Sequence, residues 1–227
     1  MRRRTAIPPT KCTILLLVVL ALVHVAIPVR AQIVLITGWM TQPVILDGQI
    51  TTATEWSDAV PVDLAYRNTP GVTIPIRTWI KNDLKWIYIL AAVKWPANDT
   101  DRTDYFRITI YYSSPRKTGT PADELGVRFD GYTSDNYGIE GGDWREDTQM
   151  VPGGQINVRG GASHNGTHYL FEFGRPLNTG DRYDLVLVPG QTYADFRLRF
   201  RDSSDSKAGW YDFWPTLRLA PLPPLID

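Results

Sequence analysis

The chain has 227 residues, 43% hydrophobic and 21% charged, with one cysteine, 18 glycines and 17 prolines. That is too apolar for a disordered polymer and too irregular for a coiled coil or a collagen. Its 24 basic and 24 acidic groups cancel, but five of the basic ones (Arg2, Arg3, Arg4, Lys11, Arg30) fall within residues 1–31, which hold no acid, leaving a net charge of −5 beyond Ala31. A chain of that sign lacks the positive field that phosphate neutralisation demands, which argues against nucleic acid and anionic membrane surfaces as partners.

From the N-terminus, Arg2–Arg4 precede an apolar stretch from Thr13 to Pro28 that closes on Val29-Arg30-Ala31. A basic segment, a short apolar core and small residues before the cut describe a signal peptide spanning residues 1–31. The apolar core, about 15 residues and interrupted by His24, is short of the roughly 20 that a spanning helix needs. No second apolar span follows, so the mature chain from Gln32 is expected to be secreted or extracytoplasmic, without a transmembrane helix. Cys12 leaves with the leader, which excludes disulfides, thiol catalysis, cysteine-ligated zinc and covalent c-type haem.

Beyond the leader the sequence reads as strands. After a turn over Ala53–Ala59 come alternating runs at Ile74–Lys81, Trp86–Trp95, Tyr105–Tyr112, Tyr169–Phe173, Tyr183–Val188, Asp195–Arg201 and Thr216–Leu219. Asp195–Arg201 is the clearest: Phe196, Leu198 and Phe200 point one way, Arg197, Arg199 and Arg201 the other. Turn chemistry such as Asn82-Asp83 and Pro189-Gly190 separates the runs. Between Asp123 and Gly161 the strand signals weaken to Leu125–Phe129 and Gln155–Arg159, while three Gly-Gly pairs and many carboxylates suggest long irregular loops. The fold class is all-β: one antiparallel β-sandwich of the jelly-roll kind over residues 32–219, followed by a Pro-rich tail, 220–227.

Several short motifs carry a family likeness. Ile45-Leu46-Asp47-Gly48-Gln49-Ile50, then Glu55-Trp56-Ser57-Asp58-Ala59, resembles the opening of the family 9 carbohydrate-binding module-like domains, within the wider DOMON-like group of β-sandwiches. Leu84–Ile89, Asp104–Ile108, Tyr169–Pro176 with Glu172 central, and Trp214-Pro215 resemble later elements of the same pattern. The resemblance implies a DOMON-like sandwich and, in sugar-binding members, two tryptophans that clamp the sugar. Physically, Asp47-Gly48 reads as a tight turn and Trp56 as a plug at one end of the sandwich. A sister branch, resembling the haem subunit of ethylbenzene dehydrogenase-type enzymes, binds b-type haem through methionine and lysine.

The chemistry follows from these residues. All eight tryptophans and eleven tyrosines lie beyond the leader, and sugar CH faces stack on flat aromatic surfaces while hydroxyls bond to acids and guanidinium groups. The densest such cluster holds Tyr137, Asp143, Trp144 and Arg145, with Trp210 in a second; Trp86 and Trp214 read as core. The partner expected is therefore a carbohydrate or cell-surface glycan. Calcium could be held by Asp99, Asp101 and Asp104 or by Asp130 and Asp135, which offer hard oxygen ligands. Haem b, as an alternative cofactor, would use Met150 and Lys94, the lysine desolvated into a neutral amine. No nucleophile elbow, P-loop or dinucleotide fingerprint is present. The leading expectation is a non-catalytic binding protein, with haem electron transfer or self-assembly at the cell surface through an exposed sheet edge as alternatives.

Overall fold

The computed structural model describes residues 33–68, 72–94, 103–202 and 210–224, with the side chains of residues 66–68, 72, 210 and 211 outside the description. The leader expected over residues 1–31 lies outside the described residues, as do Asp99 and Asp101. Among the described residues no helix is long and apolar enough to cross a membrane.

Among the described residues, fifteen strands run in chain order: β1 (Val34–Ile36), β2 (Gly38–Trp39), β3 (Val62–Asn68), β4 (Val72–Asn82), β5 (Trp86–Lys94), β6 (Tyr105–Tyr111), β7 (Pro121–Arg128), β8 (Thr133–Ile139), β9 (Trp144–Glu146), β10 (Arg159–His164), β11 (His168–Pro176), β12 (Thr192–Tyr193), β13 (Phe196–Arg201), β14 (Trp210–Phe213) and β15 (Thr216–Arg218). A 3-10 turn, Asp147–Gln149, follows β9. The first sheet has the order β10-β11-β5-β4-β2, with β3 also on β4; the second is β14-β13-β6-β7-β8-β9; a small third sheet is β1-β15-β12. Both large sheets are antiparallel apart from the β2–β4 pair.

The two large sheets bury their apolar faces against each other. Phe106, Ile108 and Ile110 of β6 and Phe196, Leu198 and Phe200 of β13 share one core with Ile87, Ile89, Ala91 and Val93 of β5 and Tyr169, Phe171 and Phe173 of β11. These are the inward positions of the alternation, so the pattern selects the buried face. The fold is the expected antiparallel β-sandwich.

Three local expectations are corrected. From Asp123 to Glu146 the stretch is not loop, because β7, β8 and β9 form consecutive hairpins there; the irregular segment is confined to residues 147–158. The hairpin turns use Gly131 and Gly141 at φ of 86° and 75°, a conformation glycine adopts without strain. The expected strand at Gln155–Arg159 begins only at Arg159. Tyr183–Val188 alternates but makes no ladder: the amides of Leu185, Leu187 and Val188 donate instead to Asp123 Oδ2, the Leu177 carbonyl and the Tyr193 hydroxyl.

Trp56 is a fold determinant, but it covers a face rather than plugging an end. It packs with Ala59 and Leu90 on the outer side of the first sheet, against Val44, Trp79 and Tyr88. Its Nε1 donates to Glu172 Oε1 at 2.9 Å, and Glu172 Oε2 accepts the N–H groups of Gly48 and Asp47 at 3.0 and 3.1 Å. Gly48 sits at φ 80° with its Cα against the backbone of Gly161 and Ala162, so no side chain fits there. Asp47, Gly48 and Trp56 therefore hold the opening turn onto β11.

Candidate functional site

The outer face of the second sheet is polar and aromatic because its strands alternate against the apolar core. Across the pairing register, Arg197, Thr109, Glu124, Asn136 and Glu146 form one row over β13, β6, β7, β8 and β9. The next row is Arg199, Arg107, Gly126 and Ser134. The third brings Arg201, Tyr105 and Arg128 together, with Tyr132 beside them in the β7–β8 turn.

Charges on this face are paired, which fixes their positions. Arg107 Nη1 and Arg197 Nη2 both reach Glu124, at 2.7 and 3.2 Å, and Arg197 also donates to Thr109 Oγ1. Arg199 makes a two-point contact with Asp212, at 2.7 and 3.1 Å. Arg128 clasps Asp130 and holds its carboxyl below the usual carboxylate range. The Tyr132 hydroxyl donates to Glu146, which raises its pKa. Arg107 lies 4.2 Å from the Tyr105 ring centroid and Arg128 5.0 Å from that of Tyr132.

Thr103, Tyr105, Arg107, Arg128, Tyr132, Ser134 and Arg201 line a groove of about 430 Å³ on this face. Gly126 leaves room for the Arg107 side chain to lie against the sheet, since a Cβ there would sit 2.5 Å from it. Beyond the groove, Arg197 stands 5.4 Å from the Trp144 ring centroid and 5.2 Å from that of Trp214, and Arg116 lies 3.4 Å from the Trp214 ring. Trp144 lies flat on β8 because residue 138 is glycine: a Cβ there would come within 2.2 Å of the indole. Trp214, expected in the core, is half-buried on this outer face; Trp86 is half-buried as well. A second concavity, about 560 Å³, lies on the outer side of the first sheet, where Trp79, Pro75, Ala92 and Leu170 make its lining more apolar.

The cluster expected from sequence is divided by the hairpin. Gly138 pairs with Trp144 and Tyr137 with Arg145, so Trp144 shares the outer face while Tyr137 turns to the opposite side. There Tyr137 packs edge-on against Tyr112 and Tyr183. Asp143 and Arg145 form an exposed ion pair of 3.3 Å at the sheet edge. Trp210 begins β14 opposite Arg201, and its side chain is outside the description. Sequence reasoning missed Tyr105, Arg107, Arg128 and Arg201, although the alternation already put Arg107 and Arg201 on the polar face.

The expected acids and haem ligands fall in separate places. Asp104 is buried ahead of β6, Asp130 is engaged by Arg128, and Asp135 faces inward. Asp135 lies with Asp123 and Asp184, one carboxylate oxygen of each within 4.8 Å of the others, and Asp184 is shared with a second group containing Asp147 and Asp181. Burial and the neighbouring acids push Asp135 and Asp147 up to about 8 and Asp123 to about 6. Lys94 is exposed at the end of β5, so the desolvation a neutral amine ligand needs is not supplied at its side chain. Met150 is half-buried just after the 3-10 turn that follows β9 of the second sheet.

No family model and no curated protein matches the sequence. Solved structures do match. A family 9 carbohydrate-binding module from Caldicellulosiruptor kristjanssonii, in complex with glucose, has a TM-score of 0.56 and 11% identity over 86% of this chain and 99% of its own. A candidate carbohydrate-binding protein from Bacteroides uniformis has a TM-score of 0.56 and 11% identity over 83% of this chain and 100% of its own. At such identity the likeness is one of architecture: this chain has the family 9 carbohydrate-binding module-like β-sandwich fold.

Proposed function

We propose that this chain is a secreted, non-catalytic carbohydrate-binding protein that takes sugar on the outer face of its second sheet. The observation that carries this reading is the groove in which Tyr105, Tyr132, Arg107, Arg128, Arg201 and Ser134 converge. The exposed Tyr132 ring offers a stacking surface, and guanidinium and hydroxyl groups offer directional hydrogen bonds at the rim, which is the chemistry a pyranose requires. Arg107 and Arg128 are each braced by an acid, so little ordering remains to be done when a ligand arrives. Trp144, which shares this outer face, extends the binding surface beyond the groove, whereas Arg145 and its partner Asp143 lie off it at the sheet edge. The neighbouring module solved with glucose supports the ligand class, and the basic and apolar leader supports export with cleavage after Ala31.

A glycan array followed by calorimetry tests the proposal. Tyr132 is 44% exposed, so Tyr132→Ala removes a stacking surface at small cost to the fold; it should weaken sugar binding at least about tenfold. Trp144→Ala should weaken it as well, with the melting temperature little changed. Binding that survives both substitutions but fails in Trp79→Ala would move the site to the first sheet. Wild-type protein that is silent across a broad array would overturn the function itself.

A further inference from the structure

Away from that face, the inner edge of the second sheet gathers five carboxylates with no apolar reason to be there. β7 supplies Asp123, β8 supplies Asp135, the 3-10 turn supplies Asp147, and the segment after β11 supplies Asp181 and Asp184. Asp123, Asp135 and Asp147 are at most 1% exposed and Asp184 is 6% exposed.

Each of three acids uses one oxygen and leaves the other idle. Asp123 Oδ2 accepts from Arg175 and from the Leu185 N–H. Asp135 Oδ2 accepts the Asn157 N–H at 2.7 Å, and Asp184 Oδ2 accepts Asn157 Nδ2 at 3.1 Å. Oδ1 of Asp123, Asp135 and Asp184 is buried without a partner, and neither Asp147 oxygen makes a well-formed hydrogen bond. Unpaired buried oxygens are costly, and a native fold keeps them only when something else satisfies them. Arg175, fully buried beside them, pairs with Asp123 and lies 4.0 Å from Asp184.

We propose that this cluster is a divalent-cation site that takes calcium, with Asp123, Asp135, Asp147 and Asp184 as inner ligands and Asp181 at its mouth. The donors are all oxygens, as a hard cation requires, and calcium–oxygen distances of about 2.3–2.6 Å place opposed ligands about 5 Å apart. Within each of the two triads, Asp123–Asp135–Asp184 and Asp147–Asp181–Asp184, a donor spacing within 4.8 Å fits that sphere, and Asp184 belongs to both. Half-buried Asp181 gives the ion a route in, and the chain can close over it only because residue 154 is glycine: a Cβ there would fall 2.8 Å from Asp181 Oδ2 and 2.9 Å from Asp147 Cβ. The site ties β7, β8 and the segment 181–184 together behind the sugar-binding face, so it goes beyond the binding reading and does not depend on it.

Calorimetry and thermal melting of the purified protein, stripped with EGTA and then titrated with calcium chloride or magnesium chloride, decide the matter. Saturable calcium uptake is expected, tighter than magnesium, with a melting temperature that climbs with calcium concentration. Asp135→Asn and Asp181→Asn should each lower calcium affinity at least tenfold; the second, on a half-exposed residue, keeps the test open if the first does not fold. Wild-type protein with no saturable uptake and no melting shift up to 10 mM calcium (about tenfold above the dissociation constants of the weakest extracellular sites) would overturn the proposal and leave the cluster neutralised by shared protons. Calcium uptake undiminished in both variants would overturn it too, by placing the ion elsewhere.

Discussion

Glu172 sits fully buried on β11 and accepts three hydrogen bonds, from Trp56 Nε1 and the Gly48 and Asp47 amides. Burial outweighs these donors and raises its pKa from 4.5 to about 7. The folded chain therefore holds a proton that the unfolded chain releases, and the associated stability is full below pH 4.5 and lost as pH rises through 7. Glu172→Gln cannot titrate. Urea unfolding should show the stability of wild type relative to Glu172→Gln falling by about 3 kcal/mol between pH 4.5 and 8; a constant difference would mean that Glu172 is ionised throughout. The residue scale is also where sequence reading reached its limit. Tyr137 and Trp144 are seven positions apart and looked like one cluster, but their faces are set by the pairing of Gly138 with Trp144, which no local pattern specifies. The sequence offers Asp135 as a candidate ligand, whereas Asp123 and Asp184 join it only through pairing and chain crossing.

Among elements, the segment from Thr41 to Ala59 has no strand of its own and depends on one lysine of β4. Lys81 is 0% exposed, and its Nζ donates to the carbonyls of Glu55 and Gln42 and to Asp58 Oδ1, at 2.5, 2.9 and 2.8 Å. Asp58 in turn accepts the amides of Thr41 and Gln42, so the lysine closes a loop of contacts from Thr41 to Asp58. Lys81→Met keeps the volume but leaves the Asp58 carboxylate without its cation, and should cost about 3–5 kcal/mol. Urea midpoints would measure the loss, and limited proteolysis should cut first between residues 41 and 59. The Glu55-Trp56 motif was legible in sequence because its residues are contiguous. Lys81, more than twenty residues on, read only as one member of an alternating strand, and its burial follows from which face that segment covers.

At the scale of the whole molecule, alternation alone separates the buried face from the polar one. Phe196, Leu198 and Phe200 fall in the core while Arg197, Arg199 and Arg201 face out, as the period of two requires. Strand order is a different matter. β13 lies beside β6, so Arg197 meets Thr109 from 88 positions away, and the groove exists only because of that crossover. The core that holds the two sheets together centres on Phe106 of β6, whose ring centroid lies 6.2 Å from Phe171 and 6.4 Å from Phe173 of β11. Phe106→Ala opens a cavity between the sheets rather than within one, and should cost about 3–5 kcal/mol. If the sandwich is one cooperative unit, tryptophan fluorescence and far-ultraviolet circular dichroism will still report a single coincident urea transition, shifted to a lower midpoint with its slope unchanged. Separate transitions in the two signals, or a midpoint that stays at the wild-type value, would show that Phe106 does not couple the sheets.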